Sequence, residues 1–475
     1  MVTDLQALWR AHPPGVEVGE AALDADLLSC LDEGDGVADH YGGRTGFVFL
    51  EQRGDRSLVV ERRGSGVWGW NAINLTGGYG TGILGAQLAG LGPALQHALS
   101  RCSTTNDEFQ SVERRRLADT VKTLVARHTG SDPSDWELTF TSTGTEANDL
   151  ALQLAYVDDF DLASGMHAAP DKDVVLCCHG AWHGWGLHTA QALDRRHFTD
   201  GLPRLSERRF VFMRYGDERE LERAFAEHGG RIRAVLVEGV LGDGGVVVAP
   251  DAWWTRLRQL CDAHGATLID DEILTWLRCG GPLALPRGIS PDCLTIGKSL
   301  GLSLFPLSAV AWRRDRLKIR PGLGVRTFNA RPFQAAVVSE ALQRIEGDGM
   351  FTRAAEVGDR FRARLTSLAG DFPGIVRDVR GKGLFIGMEL AGGFARKGHF
   401  MRDALLRGGV MSEVESGTIN RRLAKEDRIN ETIRLTPPLT IPEQELDEAL
   451  VRIHRVFMAL SSSDATTGAG HALPV

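Results

Sequence analysis

Short apolar runs alternate with longer amphipathic segments between about residues 104 and 330. The apolar runs have the length of buried strands, and they lie at 138–142, 173–178, 234–238, 266–270 and 293–296. Helices are predicted between them, for example at 146–156 and at 252–264, the second with one apolar stripe and a glycine stop at Gly265. This alternation predicts an α/β fold with a mostly parallel sheet and helices on both of its faces.

The two ends of the chain follow a different pattern. Strand-like segments occur at 46–51 and 57–61, and a long helical segment at 333–345 precedes an alternating segment at 383–389. We therefore expect a large domain at 76–331 and a smaller α+β lobe built from 1–75 and 332–460. The small and polar residues of 461–475 predict a disordered tail.

Composition narrows the classes of partner. The chain has 475 residues, a formal net charge of −8 and seven cysteines at scattered spacings. The acidic balance argues against a nucleic-acid partner, and no apolar run reaches the ~18 residues of a membrane span. The cysteines indicate neither a disulfide framework nor a metal site. The first residues lack the pattern of a signal peptide, so we expect a cytoplasmic protein.

Two polar residues follow buried strands whose carboxyl ends should share one edge of the sheet. Lys298 follows the run 293–296, and Asp271 follows the run 266–270. Ligands bind at that edge of open α/β sheets, and pyridoxal phosphate needs a lysine for its Schiff base and an acid against its pyridinium nitrogen. Either residue alone is commonly a solvated side chain or a helix cap. Together they predict a pyridoxal-phosphate site with Lys298 and Asp271 as its catalytic residues.

Further candidates lie at other strand ends. Thr143, Gly144 and Thr145 join a strand to a helix, where free backbone N–H groups stabilise an anion, although an ordinary capping box with Glu146 gives the same pattern. Trp182 follows the run 173–178 and is placed to cover one face of a planar cofactor, with a core tryptophan as the alternative.

Four more residues are candidates for contacts with substrate or phosphate. They are Glu238, Asp243, Thr327 and Arg434. Glu238 ends a predicted strand, and Arg434 has the side chain that can hold a substrate carboxylate in a bidentate fork. Most arginines are surface charges, which is the alternative for Arg434.

A glycine-rich segment at 76–85 contains the pattern Gly80-x-Gly82-x-x-Gly85. A dinucleotide-binding loop needs a preceding strand, a following helix and an acid about 20 residues on. Asp107 lies near that distance but in a polar, helix-like stretch. A tight loop beside the active site is therefore the favoured interpretation, with nicotinamide binding as the alternative.

Taken in order, these motifs resemble class III pyridoxal-phosphate aminotransferases of fold type I over about residues 66 to 455. The motifs are Thr143-Gly-Thr-Glu-Ala-Asn148, Trp182-His-Gly184, Glu238 with Gly242-Asp-Gly-Gly-Val246, Asp271-Glu-Ile273, Gly297-Lys298, Thr327 and Arg434-Leu-Thr-Pro-Pro-Leu439. The resemblance implies a Schiff-base lysine at Lys298 and Asp271 on the ring nitrogen. It also implies a phosphate cup at 143–145 and a stacked Trp182. Thr327 would reach the phosphate of a neighbouring subunit, which implies a homodimer with active sites at its interface.

The chain departs from the family pattern near the pocket. Asp243 stands where many members carry a glutamate that pairs with the arginine matching Arg434. The segment 271–278, followed by Gly280-Gly281, is similar to glutamate-1-semialdehyde aminomutases. The loop at 77–80 also resembles aminotransferase modules of polyketide and peptide synthase pathways.

We therefore expect an aminotransferase that moves an amino group between an amino acid or amine and a keto acid or aldehyde. We expect a small-molecule substrate that is either free or tethered to a carrier protein. Specialised metabolism is one kind of pathway in which such an enzyme would act. The alternative is an aminomutase, racemase or decarboxylase with the same cofactor. A further alternative is a non-catalytic scaffold protein that keeps only the fold. The presence of both Lys298 and Asp271 argues against it.

Overall fold

The computed structural model describes residues 5–10, 15–20, 23–38, 45–101, 108–195, 199, 201–202, 209–417 and 428–462. The strands, labelled in chain order, are β1 (Val16–Val18), β2 (Phe47–Arg53), β3 (Arg56–Arg63), β4 (Gly66–Asn74), β5 (Trp136–Thr141), β6 (Phe160–Asp161), β7 (Met166–His167), β8 (Val174–Cys178), β9 (Arg209–Met213), β10 (Ile232–Glu238), β11 (Thr267–Glu272), β12 (Cys293–Ile296), β13 (Ser308–Arg313), β14 (Val376–Lys382), β15 (Phe385–Leu390), β16 (Val410–Met411), β17 (Glu413–Glu415) and β18 (Thr432–Leu435). The α-helices are Leu5–Arg10, Ala25–Glu33, Gly77–Gly80, Gly92–Arg101, Val112–Thr129, Gly144–Val157, Glu218–His228, Asp251–His264, Pro332–Gly347, Met350–Asp371, Gly398–Arg407 and Glu443–Ser462.

The largest sheet has seven strands in the order β5-β13-β12-β11-β10-β8-β9. The five strands from β12 to β9 pair in parallel, whereas β13 is antiparallel to both β12 and β5. Because β13 is antiparallel to both of its neighbours, β5 and β12 run in the same direction. The predicted mostly parallel sheet is confirmed. Its antiparallel strand β13 was not predicted.

Both faces of this sheet are buried. Leu176, Val235 and Leu268 point into one large apolar core, while their neighbours along the strands point into a second core under the helix Gly144–Val157. Side chains alternate between the faces of a strand, so continuous apolar runs are required where both faces are covered. The apolar runs of the sequence therefore correspond to interior strands.

Two smaller sheets are formed by the ends of the chain. The first has the order β1-β4-β3-β2, and β16 from the C-terminal part pairs with β4 in parallel. The second has the antiparallel order β14-β15-β18-β17. The pairing of β16 with β4 joins the N- and C-terminal segments, as expected for one small lobe. The domain boundaries after residues 75 and 331 stay a prediction.

Helix ends follow local chemistry. The helix Asp251–His264 ends at Gly265, which has the left-handed conformation (φ 59°) that glycine adopts without strain. The C-terminal helix extends through Ser462, two residues into the predicted tail, and 463–475 lie outside the described residues. Within the described ranges, no helix combines the length and apolarity of a bilayer span, and no acidic, histidine or cysteine cluster suits a metal ion.

Candidate active site

The carboxyl ends of the parallel strands converge around one isoleucine. A side-chain carbon on Gly144 would stand 2.8 Å from Ile273 Cγ2, and one on Gly297 would stand 2.9 Å from Ile273 Cδ1. Both glycines therefore allow three segments to approach closely: the turn after β5, the end of β11 and the end of β12. This packing brings the predicted phosphate turn, Asp271 and Lys298 to one edge of the sheet.

Lys298 begins a short 3-10 turn directly after β12 and is partly buried. Its backbone has a positive φ of 42°, which is uncommon for a residue with a side chain. The pKa of Lys298 is lowered to about 8, first by burial of the ammonium group and then by the charge of Arg434, while nearby glutamates oppose the shift. The amine is therefore closer to its nucleophilic form at neutral pH than that of an exposed lysine.

Asp271 is 3% exposed and accepts three hydrogen bonds. The donors are Asn148 Nδ2 at 2.6 Å, His183 Nδ1 at 2.8 Å and the backbone N of Ile273 at 3.0 Å. Asn148 is itself oriented, because Thr295 Oγ1 donates to its Oδ1 at 2.7 Å. The carboxylate is thus fixed in position by three donors.

The turn between β5 and the helix Gly144–Val157 contains the predicted capping box. Thr143 Oγ1 accepts from the backbone N of Glu146 at 3.2 Å, and the Glu146 carboxylate accepts from the backbone N of Thr143 at 3.1 Å. The N–H groups of Gly144 and Thr145 belong to the first helical turn, and N–H groups in that turn have no acceptor inside the helix. Such groups form a binding site for an anion.

Trp182 lies beyond the end of β8 and is 39% exposed. Its backbone N donates to Glu238 Oε1 at 2.9 Å, and its ring stacks on Trp185 with centroids 5.8 Å apart and planes 5° apart. Burial raises the pKa of Glu238 to about 7. Trp182 is therefore a partly exposed aromatic surface at this edge rather than a core tryptophan. Trp185 was not among the residues predicted from the sequence.

Arg434 is 3% exposed and is held by two acids on the neighbouring strand β17. Glu413 Oε2 accepts from its Nε at 2.8 Å, and Glu415 Oε1 lies 2.6 Å from its Nη1. Asp243, which stands where many family members carry a glutamate that pairs with this arginine, forms an ion pair with Arg195 instead. Aspartate at position 243, which is shorter than that glutamate, thus pairs with Arg195 and not with Arg434. The role of Arg434 as a carboxylate receptor stays a prediction.

Arg195 lies beside Trp182 at the same edge and was not among the residues predicted from the sequence. It is buried, donates to Ser416 Oγ at 2.9 Å and to the Gly180 carbonyl at 3.1 Å, and lies 5.8 Å from the Trp182 ring centroid. Burial lowers its pKa to about 10. No local sequence pattern distinguishes it from surface arginines.

Thr327 is exposed in the segment between β13 and the helix Pro332–Gly347. Its neighbours Val325 and Phe328 are 76% and 55% exposed. The expectation that Thr327 reaches a second subunit stays a prediction.

The glycine-rich loop packs against the lysine segment. Thr81 Oγ1 and Ser303 Oγ are 2.5 Å apart, and the backbone N of Tyr79 donates to Glu413 Oε1 at 2.8 Å. The preceding strand β4 is antiparallel to β1 and β3, its parallel neighbour β16 comes from the C-terminal part of the chain, and the first helix of the loop ends at Gly80. This context lacks the strand–helix–strand unit of a dinucleotide loop. The interpretation as a loop beside the active site agrees with the structure.

Comparison with known proteins places the chain in a family. The model for aminotransferase class-III matches residues 51–457. The ornithine aminotransferase of Staphylococcus carnosus is 32% identical over 358 residues, which cover 72% of this chain and 83% of that protein. The mitochondrial ornithine aminotransferase of rice is 34% identical over 281 residues. That match spans 58% of this chain and little more than half, 56%, of the rice protein.

A solved structure has the same fold. The ornithine aminotransferase of Toxoplasma gondii, described with partial occupancy of PLP at its active site, is 25% identical and superposes with a TM-score of 0.74. The match covers 92% of this chain and 95% of that structure. The sequence-based expectation of a class III, fold type I protein is confirmed. The chain belongs to the aminotransferase class-III family, whose aminotransferases use pyridoxal phosphate.

Proposed function

We propose that this protein is a PLP-dependent transaminase that moves an amino group from an amino acid or amine to a keto acid or aldehyde. The observation that carries the proposal is the placement of Lys298 and Asp271. Asp271 lies one residue before the end of β11, and Lys298 follows the neighbouring strand β12 at the same edge of the sheet. Asp271 is fixed there by Asn148 and His183.

The residues present fit pyridoxal phosphate. Bound there, the cofactor would supply an electron sink for the carbanion that forms when a substrate proton leaves. A buried carboxylate matches a protonated ring nitrogen, and the helix N-terminus at Thr143, Gly144 and Thr145 matches a phosphate. We assign Trp182 to the face of the ring, in line with its exposed indole.

Lys298 has two roles in this proposal. Its Nζ would hold the cofactor through the cofactor's aldehyde group. When a substrate amine takes that place, Nζ would be free to move a proton at the substrate carbon. A pKa of about 8 suits both directions of that transfer, since general acid–base catalysis is most effective near the working pH.

The remaining assignments concern substrate and assembly. We assign Glu238, Asp243 and Arg434 to contacts with the substrate. Thr327 would contact the phosphate of a partner subunit, which requires a homodimer with active sites at its interface. The curated relatives are ornithine aminotransferases, so a diamino acid is the first donor to test. Carrier-bound substrates, specialised metabolism and a cytoplasmic location remain proposals.

The test is the visible absorbance of purified protein loaded with pyridoxal phosphate. Lysine-bound cofactor is yellow, so we expect a band that one amino donor bleaches and a keto acid or aldehyde restores. The matched control, Lys298→Ala, should show no such band. A band that persists through turnover without an acceptor would instead indicate aminomutase, racemase or decarboxylase chemistry. A normal turnover rate in Lys298→Ala would refute the assignment of Lys298.

A further inference from the structure

Two buried acids lie side by side on the face of β11 that points away from Asp271. Asp270 and Glu272 flank Asp271, and side chains alternate between the two faces of a strand. Both acids are fully buried, with 0% of their surface exposed. The residues opposite Asp270 on the paired strands are Val237 and Leu294, which belong to the large apolar core. Neither acid therefore has access to bulk water.

The two acids differ in their hydrogen-bond donors. Glu272 accepts from Thr275 Oγ1 and from two backbone N–H groups. These N–H groups belong to Ala284 and to Leu285, the latter at 3.1 Å. In the part of the chain that the structure describes, no group donates to either oxygen of Asp270. One acid is thus surrounded by donors, and the other is not.

Other polar groups near the pair are already engaged. The charges of both acids act on Tyr215, but its hydroxyl donates to two backbone carbonyls at the end of β10, at 2.9 and 3.0 Å. The ammonium group of Lys382, whose charge acts on Glu272, donates to a backbone carbonyl at 2.7 Å. Burial raises the pKa of Cys279 to about 12, so this thiol is neutral at neutral pH. The proton that Asp270 shares with Glu272 is then its own.

Burial and charge repulsion place that proton on Asp270. The pKa of Asp270 is raised well above its usual range, first by burial and then by the charges of Glu272 and Asp271. Burial raises the pKa of Glu272 as well, but its three hydrogen bonds favour the charged form. A protonated Asp270 can donate to Glu272 as a fourth donor. The pair then carries one negative charge instead of two.

Glu272 in turn holds the segment that follows β11. Its donors lie near both ends of the segment 273–285, so that it closes this segment. The segment includes Ile273, against which the phosphate turn and the lysine turn pack. It also includes Arg278, which donates to the carbonyl of Gly80 in the glycine-rich loop. Three parts of the site therefore depend on how this segment is anchored.

We propose that Asp270 is a positioning residue that keeps a proton at neutral pH, shares it with Glu272, and so holds the segment 273–285 in place for the cofactor site. This inference rests on the proposed site for pyridoxal phosphate and adds to it a residue on the opposite face of β11.

The first experiment detects the proton. An ordinary aspartic acid, with a pKa of ~3.9, is ionised at about pH 8. Infrared spectra of the PLP-loaded protein at that pH should nevertheless contain the C=O band of a buried carboxylic acid, and Asp270→Asn should remove it. Asp292→Asn is the control, because Asp292 is a buried acid directly before β12 that pairs with Arg258 and Arg316. It should leave the band unchanged. A band that persists in Asp270→Asn would overturn the proposal.

The pH dependence of unfolding gives a second measure of the same proton. In the unfolded chain Asp270 is ionised above about pH 5, so folding takes up one proton there. Relative to Asp270→Asn, the folding equilibrium constant of wild type should fall by about tenfold for each pH unit between ~5 and ~8. Chemical unfolding of the PLP-loaded protein measures this. Parallel pH profiles for the two proteins would contradict a protonated Asp270.

Cofactor affinity separates positioning from packing alone. Asp270→Ala removes the donor to Glu272 and should weaken pyridoxal phosphate binding by at least about tenfold. Asp270→Asn keeps a donor in its amide and should bind the cofactor within about twofold of wild type. Equal weakening in the two variants would show a packing role only and would overturn the proposal. Wild-type protein that binds no pyridoxal phosphate would refute the proposed cofactor site, while the pH dependence of unfolding would still report the proton.

Discussion

At the scale of single residues, the site is defined by how its charges are partnered. Asp271 accepts hydrogen bonds from three donors, and Arg434 contacts two glutamates. For Lys298, burial and the positive charge of Arg434 both disfavour the ammonium form. Burial of an unpaired amine disfavours its charge. The lysine is thereby prepared as a nucleophile, while Glu413 and Glu415 raise the pKa of Arg434 and so stabilise its positive charge.

The lowered pKa of Lys298 predicts the pH dependence of cofactor capture. Only the neutral amine attacks the cofactor aldehyde, so the rate should rise with pH and level off above the folded pKa of about 8. For an ordinary lysine the rise would continue toward ~10.4. The measurement is the rate at which the visible band appears after pyridoxal phosphate is added to stripped protein, from pH 6 to 10. A rate that still climbs steeply between pH 9 and 10 would contradict it.

The sequence revealed the identities of the site residues better than their partners. Lys298 and Asp271 were predicted from strand ends, because parallel strands bring their carboxyl ends to one edge. The partners of Arg434 could not be predicted, since the link between β17 and β18 leaves their register open. The pairing of Asp243 with Arg195 likewise joins residues 48 positions apart with no shared local pattern.

At the scale of elements, the turn after β5 serves both the fold and the site. Its capping box satisfies N–H groups of the turn and leaves those of Gly144 and Thr145 for a ligand. The same turn is packed against Ile273, so its position relative to Asp271 depends on tight contacts rather than on the loop alone.

Removal of the capping hydroxyl should therefore have two effects. Thr143→Ala is expected to lower the free energy of unfolding by ~1 kcal/mol and to weaken pyridoxal phosphate binding by about tenfold, as loss of one phosphate contact would do. Ser111→Ala is the control, because Ser111 caps the helix Val112–Thr129 in the same way. It should lose similar stability with unchanged cofactor affinity. Chemical unfolding and fluorescence titration measure both quantities, and equal weakening in the two variants would count against a phosphate site at Thr143.

Elements with a strong apolar pattern were predictable, and those defined by pairing were not. The strand Cys293–Ile296 and the helix Asp251–His264 match the sequence-based ranges within one residue. The direction of β13 was not predictable, because a buried apolar strand looks the same whether it pairs in parallel or antiparallel. The short strands β16 and β17 were also not predicted, because two or three residues are too few to show the alternation of a strand.

At the scale of the whole molecule, the surface near Thr327 suggests a partner. Val325 and Phe328 expose large apolar side chains on either side of it, and exposed apolar groups in one region commonly mark an interface. We expect light scattering to give twice the chain mass of 51.7 kDa. Such a dimer would bring the Thr327 of one subunit toward the phosphate turn of the other.

Subunit mixing distinguishes a residue that acts across the dimer from one that acts within its own chain. Lys298→Ala chains have no catalytic amine, and Thr327→Ala chains should bind cofactor poorly. If Thr327 serves the partner's site, each hybrid dimer of the two variants contains one site with both residues intact. Random mixing in equal amounts should then recover about a quarter of wild-type activity at limiting cofactor. Hybrids of Lys298→Ala and Asp271→Ala are the control, because both residues lie at one sheet edge of the same chain and no intact site can form. Recovery equal to the sum of the parent activities would place Thr327 in its own subunit's site or outside any site.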